Sequence, residues 1–298
     1  METGNILALS IETREYADWP GSDEDPDAPR GPAKVVGDVV IEFQPDGKIV
    51  GEWKLLDLLD PKRISYGSFA KFWANKGYPG TYDWSHANSV TYDASDDSII
   101  VSCRHQDVII KISRKSGELV WIMGDPGNWK APWSDLFLTP EAGMEWAYHQ
   151  HDLSMTKDGG LLLFDNGNNK AVPFETRTPA AQNYSRAVMF KIDADAMTVS
   201  QPWCFDANRD PNYYSMFVSG ADQLPETGNV FITFGGISQH DDFTPTDNNQ
   251  RGRIMTRLVE VTGDAAPKKV LEISVEDASE SDPIKWFSFR SSHLTSLY

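Results

Sequence analysis

The chain of 298 residues carries 27 Lys+Arg against 44 Asp+Glu, a net charge of −17, which excludes nucleic acid or an anionic membrane surface as the main partner because both need a basic footprint. With 40% hydrophobic and 11% aromatic residues and no low-complexity tract, it reads as globular rather than disordered. No apolar run is long enough to span a membrane, and residues 1–9 lack the basic and apolar regions of a signal peptide. Cys103 and Cys204 are far apart in sequence and support neither a disulfide framework nor a thiolate metal site.

Short β-branched and aromatic runs bounded by turn-rich clusters fill the chain, and no long helical period occurs, so the sequence predicts an all-β fold. In chain order it predicts an apolar strand at Asn5–Ser10 and alternating strands at Asp38–Phe43 and Lys48–Trp53. Then come a polar strand at 84–93, an apolar one at Ser98–Cys103 and a pair at Val108–Ser113 and Glu118–Trp121. The same order returns at 147–155, Gly160–Phe164, Ala187–Asp193 and Thr198–Phe205, and again at 214–224, Asn229–Phe234, Arg257–Thr262 and Lys269–Val275. Four-stranded units at a repeat of roughly 70 residues read as propeller blades with long insertions. The insertions fall at 55–83, 124–147, 167–184 and 236–252.

The first unit lacks its leading strand. The sequence therefore predicts one propeller domain over 1–298 forming an incomplete arc of about four blades, closed by a tail at Trp286–Tyr298, as the C-terminal portion of a longer protein. The open edges of such an arc, at 5–55 and 253–275, are expected to expose apolar surface.

Two repeats open on one pattern: His86-Ala-Asn-Ser89-Val-Thr-Tyr-Asp93 and His151-Asp-Leu-Ser154-Met-Thr-Lys-Asp158. Equivalent strand starts converge at one end of a propeller axis, so the two imidazoles are expected to share a pocket. Folding the hairpin 86–104 about its Asp93–Asp97 turn brings Arg104 beside His86, and period-2 alternation puts Asn88 on the face of His86. Imidazole, guanidinium and carboxamide together suit a tetrahedral oxyanion, sulfate or phosphate. A zinc reading of the histidines with Asp152 is disfavoured by Arg104. His149 is expected to have a supporting or structural role; His105 alternates away from Arg104 and reads as structural; His240 sits in a solvated loop; His293 has no assignable role. Trp129, Trp133, Phe137 and Trp146 are candidates for an apolar rim or for anchors of the insertions.

These residues resemble those of the bacterial arylsulfate sulfotransferases, which move sulfate between phenols without a nucleotide donor. The resemblance is carried by Asp83-Trp-Ser-His86-Ala-Asn88-Ser89, by 97–106 with its Arg104-His105-Gln106, by Gln150-His151, Phe164-Asp-Asn-Gly167, Tyr184-Ser-Arg186 and by 227–236. It runs through essentially the whole chain. It implies a six-bladed propeller with an added N-terminal β domain, no cofactor or metal, aryl sulfates and phenols as substrates, homodimers in some members, and a periplasmic or secreted location.

It also implies that His151 is the nucleophile that becomes transiently sulfated, that His86, Asn88 and Arg104 bind sulfate and serve the leaving group, and that Ser219, next to Val218, stands near the family's hydroxyl position. A further family histidine would precede Met1. The reading from a different class is a propeller that binds an anionic ligand, a glycan or a protein partner and performs no chemistry.

Overall fold

The computed structural model describes residue 1, residues 4–279 and residues 283–294. Apart from one helical turn at Leu55–Leu58 and short 3-10 turns, the regular structure among the described residues is β-strand. The chain divides into two compact units, Met1–Thr139 with Ala171–Thr176, and Pro140–Lys170 with Arg177–Tyr298. Each is built on its own apolar core.

The first unit contains β1 (Ile6–Trp19), β2 (Gly31–Phe43), β3 (Ile49–Lys54), β4 (Thr81–Asp83), β5 (Ala87–Asp93), β6 (Ser98–Cys103), β7 (Val108–Ser113) and β8 (Leu119–Gly124). Strands β1, β2 and β3 pair antiparallel in that order, and β4 runs parallel to β2. Strands β5 to β8 form a plain antiparallel meander. The first sheet thus has the predicted three strands without a leading one.

The arms of β1 and β2 run further than expected, pairing from Ile6↔Phe43 out to Trp19↔Gly31. The antiparallel pairing continues through Ile11-Glu-Thr-Arg-Glu-Tyr16 without a regular apolar–polar alternation, and a loop containing Pro20, Gly21, Pro26 and Pro29 ends it. Trp19 anchors the arm: it is fully buried, stacks on Tyr82 at 5.5 Å and donates its indole N–H to the Pro61 carbonyl at 2.8 Å. A side chain that large, once buried, contributes on the order of 3 kcal/mol. Its contact with Tyr82 pins β4, and the β4 register, Val36↔Asp83, delivers Asp83 to the end of the sheet.

The second unit contains β9 (Thr139–Pro140, where the chain passes from one unit to the other), β10 (His151–Met155), β11 (Leu161–Asp165), β12 (Arg186–Asp193), β13 (Thr198–Phe205), β14 (Gly220–Gln223), β15 (Val230–Gln239), β16 (Arg253–Val261) and β17 (Lys269–Val275). The sheet orders are β10-β11-β12-β13-β9 and β14-β15-β16-β17. Phe164 and Tyr213 both pack edge-on against Phe234, each at 5.2 Å between centroids, in the middle of this core.

The all-β class and the blade-type sheets therefore match the sequence reading. Strand β17 is an edge strand with Val270, Leu271, Ile273 and Val275 exposed. No helix among the described residues is long and apolar enough to cross a membrane.

The tail lies against the last sheet, in part as expected. Trp286 N–H donates to the Ile254 carbonyl at 3.0 Å, Ser288 N–H to that of Gly235 at 3.1 Å, and Ser219 N–H to that of Phe289 at 3.2 Å. The last four residues lie outside the described residues. Gly235 makes the approach possible, because a Cβ there would stand 2.0 Å from the Ser288 carbonyl oxygen. We expect Gly235→Ala to cost about 1–3 kcal/mol of stability and to expose the tail to protease. Unchanged thermal unfolding together with unchanged tail protection would contradict this packing.

Candidate active site

In the first unit His86 stands one residue before β5 in the left-handed region, with φ of 44°. A bulky residue takes that conformation only when its surroundings impose it, and here Asp38 on β2 imposes it. One Asp38 carboxylate oxygen accepts the Ser85 hydroxyl and the Ala87 N–H, each at 2.6 Å, while the Asp38 N–H donates back to Ser85 Oγ at 3.0 Å. The residues on both sides of His86 are thus held by one buried group. Burial pushes the Asp38 carboxyl up to about 6, against the opposing pull of these two donors.

The imidazole of His86 is fixed from behind. Its Nδ1 donates to the carboxylate of Asp83, a fully buried residue at the end of β4. Phe72 meets the ring edge-on at 5.0 Å, and His105 stacks on it at 4.6 Å. The hairpin turn falls at Asp93↔Ser98, as predicted, and Arg104 N–H donates to the His86 carbonyl at 3.3 Å.

His105 is the hub of this cluster, buried as a structural residue would be but facing Arg104 and not turned away from it. The strand ends at Cys103 and residues 104–106 form a 3-10 turn, so the alternation that would turn His105 away from Arg104 no longer applies. Arg104 Nη1 lies 2.6 Å from His105 Nε2. A guanidinium only donates, so Nε2 accepts and Nδ1 carries the proton, which goes to the Asp83 carbonyl at 2.8 Å. Ser65 Oγ and Ser68 Oγ donate to the His105 carbonyl, and Arg63 holds Gln106 through its carbonyl at 2.5 Å.

Asn88 lies at the bulge of β5, between Ala87 and Ser89, where the two-residue period is interrupted. The ligand atoms of Asp83, His86 and His105 lie within 4.8 Å of one another, close enough to hold a cation. A metal at His105 Nε2 would have to displace Arg104 from it.

In the second unit His151 opens β10 and pairs with Phe164 of β11. Its Nδ1 lies 2.6 Å from Asn166 Oδ1. Asn166 Nδ2 donates to the carbonyls of Ser215 at 2.6 Å and Val218 at 3.1 Å. Ser185 Oγ donates to the Asn166 carbonyl at 2.7 Å and accepts the Ser215 N–H at 2.8 Å. The strand that positions Asn166 is locked by Asp165, which accepts Arg186 Nε at 2.7 Å and the Tyr148 N–H at 2.9 Å.

Next to His151, Asp152 is left-handed, with φ of 59°, and its carboxylate packs over Gly220, where a Cβ would stand 2.1 Å from an oxygen. Burial pushes Asp152 up to about 6, against the pull of Arg290, whose Nε lies 2.9 Å away. His149 is buried and left-handed, with φ of 55°. Ser219 is buried, and its hydroxyl bonds to Ser215 Oγ at 2.9 Å and accepts the Gly235 N–H at 3.0 Å, so it shapes the turn that holds Asn166.

Neither cysteine offers a competing nucleophile, because burial pushes both thiols up, that of Cys204 to about 11. Of the insertion aromatics, Trp129 is buried in the core of the first unit and Trp133 and Phe137 pack against it, with the Trp133 indole bonded to the Leu58 carbonyl at 2.8 Å. They act as anchors of the insertion. His240 is exposed, as read from sequence.

The sequence model of the arylsulfotransferases matches residues 1–286. The chain belongs to the arylsulfotransferase family. Among curated relatives, the arylsulfate sulfotransferase AssT of Escherichia coli O6:H1 (strain CFT073) is 30% identical over 253 residues, covering 71% of this chain and 42% of that protein. Arylsulfate sulfotransferase AssT of Lelliottia amnigena is 27% identical over 252 residues, with the same coverage. The match thus spans less than half the length of these relatives.

In this chain the predicted His86 and Arg104 are brought together through His105, while Asp38, Asp83 and Asn166 escaped the sequence reading as site residues. Asp83 and Asn166 lie in stretches that carry the resemblance, whereas only its type hinted at Asp38, a short polar residue in an apolar strand. The folded Asp38 lies above the ordinary carboxyl range, so the folded state binds its proton more tightly and loses stability as pH rises from about 4 to about 6. Asp38→Asn should lack this loss, which is on the order of 2–3 kcal/mol. Denaturant titrations of both proteins across that window check it, and parallel curves would contradict it.

Proposed function

We propose that this chain carries the sulfuryl-transfer chemistry of an aryl-sulfate sulfotransferase that works without a nucleotide donor, through a sulfohistidine at His151, outside the cytoplasm as the resemblance implies. One observation carries the reading. The repeat-equivalent histidines at the starts of β5 and β10 each have Nδ1 tied to a side-chain oxygen, of Asp83 and of Asn166. Each neutral ring so held has its lone pair on Nε2. Family membership and two relatives named as arylsulfate sulfotransferases support the substrate class.

In the proposed reaction the Nε2 lone pair of His151 attacks the sulfur of an aryl sulfate. The N–S bond forms as the S–O bond to the aryl group breaks, and the bonding pair leaves with the phenolate. A second phenol, losing its proton, then takes the sulfuryl group and returns His151 to its starting state. Arg104 is assigned to the sulfate oxygens, a task for a permanently charged planar donor, with Asn88 as a neutral donor. His86 is assigned to sulfate binding or to the phenol proton, a role worth about 10²–10⁴-fold where acid–base catalysis applies. Ser219, in the turn behind Asn166, is assigned to substrate binding.

Steady-state kinetics of the intact protein with a chromogenic aryl sulfate and a phenol acceptor test this. Parallel-line ping-pong patterns are expected. His151→Ala should lower the rate by about 10⁴-fold or more, and Arg104→Lys by about 10²-fold. Turnover retained in His151→Ala would move the nucleophile elsewhere, and binding of aryl sulfate without any turnover would favour a non-catalytic propeller.

A further inference from the structure

We propose that Asn166 is the positioning residue that sets the tautomer of His151, holding its proton on Nδ1 so that Nε2 is the nitrogen that takes the sulfuryl group. The proposal rests on the reading of His151 as the nucleophile and adds a residue to it.

The two ends of an asparagine amide have the same shape, so their assignment must come from their neighbours. Here the neighbours decide it. One end of the Asn166 amide lies 2.6 Å from the Ser215 carbonyl oxygen and 3.1 Å from that of Val218. Both carbonyls only accept, so the NH₂ end faces them. The oxygen end therefore faces His151, 2.6 Å from Nδ1. A carbonyl oxygen has no proton to give, so the proton of this bond sits on Nδ1.

The amide is not free to turn. Asn166 is fully buried, its own carbonyl accepts the Ser185 hydroxyl, and Ser185 Oγ in turn accepts the Ser215 N–H. Turning it over would place a carbonyl oxygen against two others in a dry environment and take the amide donor from both, leaving Ser215 only the longer bond from the Ser185 hydroxyl at 3.3 Å.

The chemistry of the acceptor matters as well as its place. When Nε2 attacks sulfur, the ring becomes a sulfoimidazolium, and the Nδ1 proton stays in its bond to Asn166 throughout. A carboxylate at this position would take that proton and leave a neutral sulfoimidazole, from which nitrogen is a poorer leaving group. An amide cannot take it, so the sulfated ring stays cationic until the second phenol arrives.

The test is nitrogen NMR of the full chain with ¹⁵N-labelled histidine, at a pH where the ring is neutral, with the His151 signals assigned by their loss in His151→Gln. In the unmodified protein Nδ1 should be protonated and Nε2 not. A spectrum with the proton on Nε2 overturns the proposal by itself, whatever any variant does. Asn166→Ala should convert His151 to a mixture of tautomers and lower the rate of phenol release by about tenfold, with KM changed less than about twofold. A merely structural role would lower stability and leave the tautomer unmoved, which would also overturn the proposal. If the Nδ1-protonated ring is found and no sulfated protein forms under any condition, the sulfohistidine reading fails while the assignment of Asn166 stands.

Discussion

The buried amide of Asn166 joins three segments that are distant in sequence: the start of β10 through His151, the segment after β12's partner strand β11 through its own backbone, and the 215–218 turn through two carbonyls. Removing any one partner leaves a polar group stranded in a dry interior, which costs more than a typical hydrogen bond contributes. The segment around His151 therefore orders as a unit. Ser185, Ser215, Ser219 and the Gly235 and Gly236 N–H groups extend the same logic outward, each hydroxyl answering a backbone group that has no place in a strand ladder.

The first unit solves the same problem with charge. Asp38 and Asp83 are buried carboxylates on neighbouring strands of one sheet, one gripping the backbone around His86 and the other its ring. Left-handed conformations at His86, His149 and Asp152 each cost on the order of 1 kcal/mol, and they cluster around the candidate histidines. At His86 the compensating interaction is visible in the Asp38 clamp. The apolar cores supply the rigid frame on which these strained strand starts are held.

Strand order, the blade-type sheets and the His86–Arg104 hairpin were legible in the sequence because they follow from local alternation and turn chemistry. The failures have equally local causes. His105 was turned away from Arg104 because alternation was extended past Cys103 into a 3-10 turn. The long β1–β2 arms were cut short at Ser10 and Asp38 because Ile11–Tyr16 carries no apolar–polar alternation, while the pairing runs on through it. Asn166 sat in a stretch singled out for its resemblance, yet its partners are 15, 49 and 52 residues away. No spacing rule reaches across such separations; only the fold brings these groups into hydrogen-bond distance.

The account stands on His151 as the atom-bearing partner in transfer. The most direct measurement is peptide mapping by tandem mass spectrometry of the intact protein, quenched within one turnover of mixing with an aryl sulfate in the absence of acceptor. The account predicts a single sulfuryl adduct on the His151 imidazole that disappears when a phenol is added before the quench. An adduct on another side chain, or phenol release with no protein adduct at any time, would contradict it.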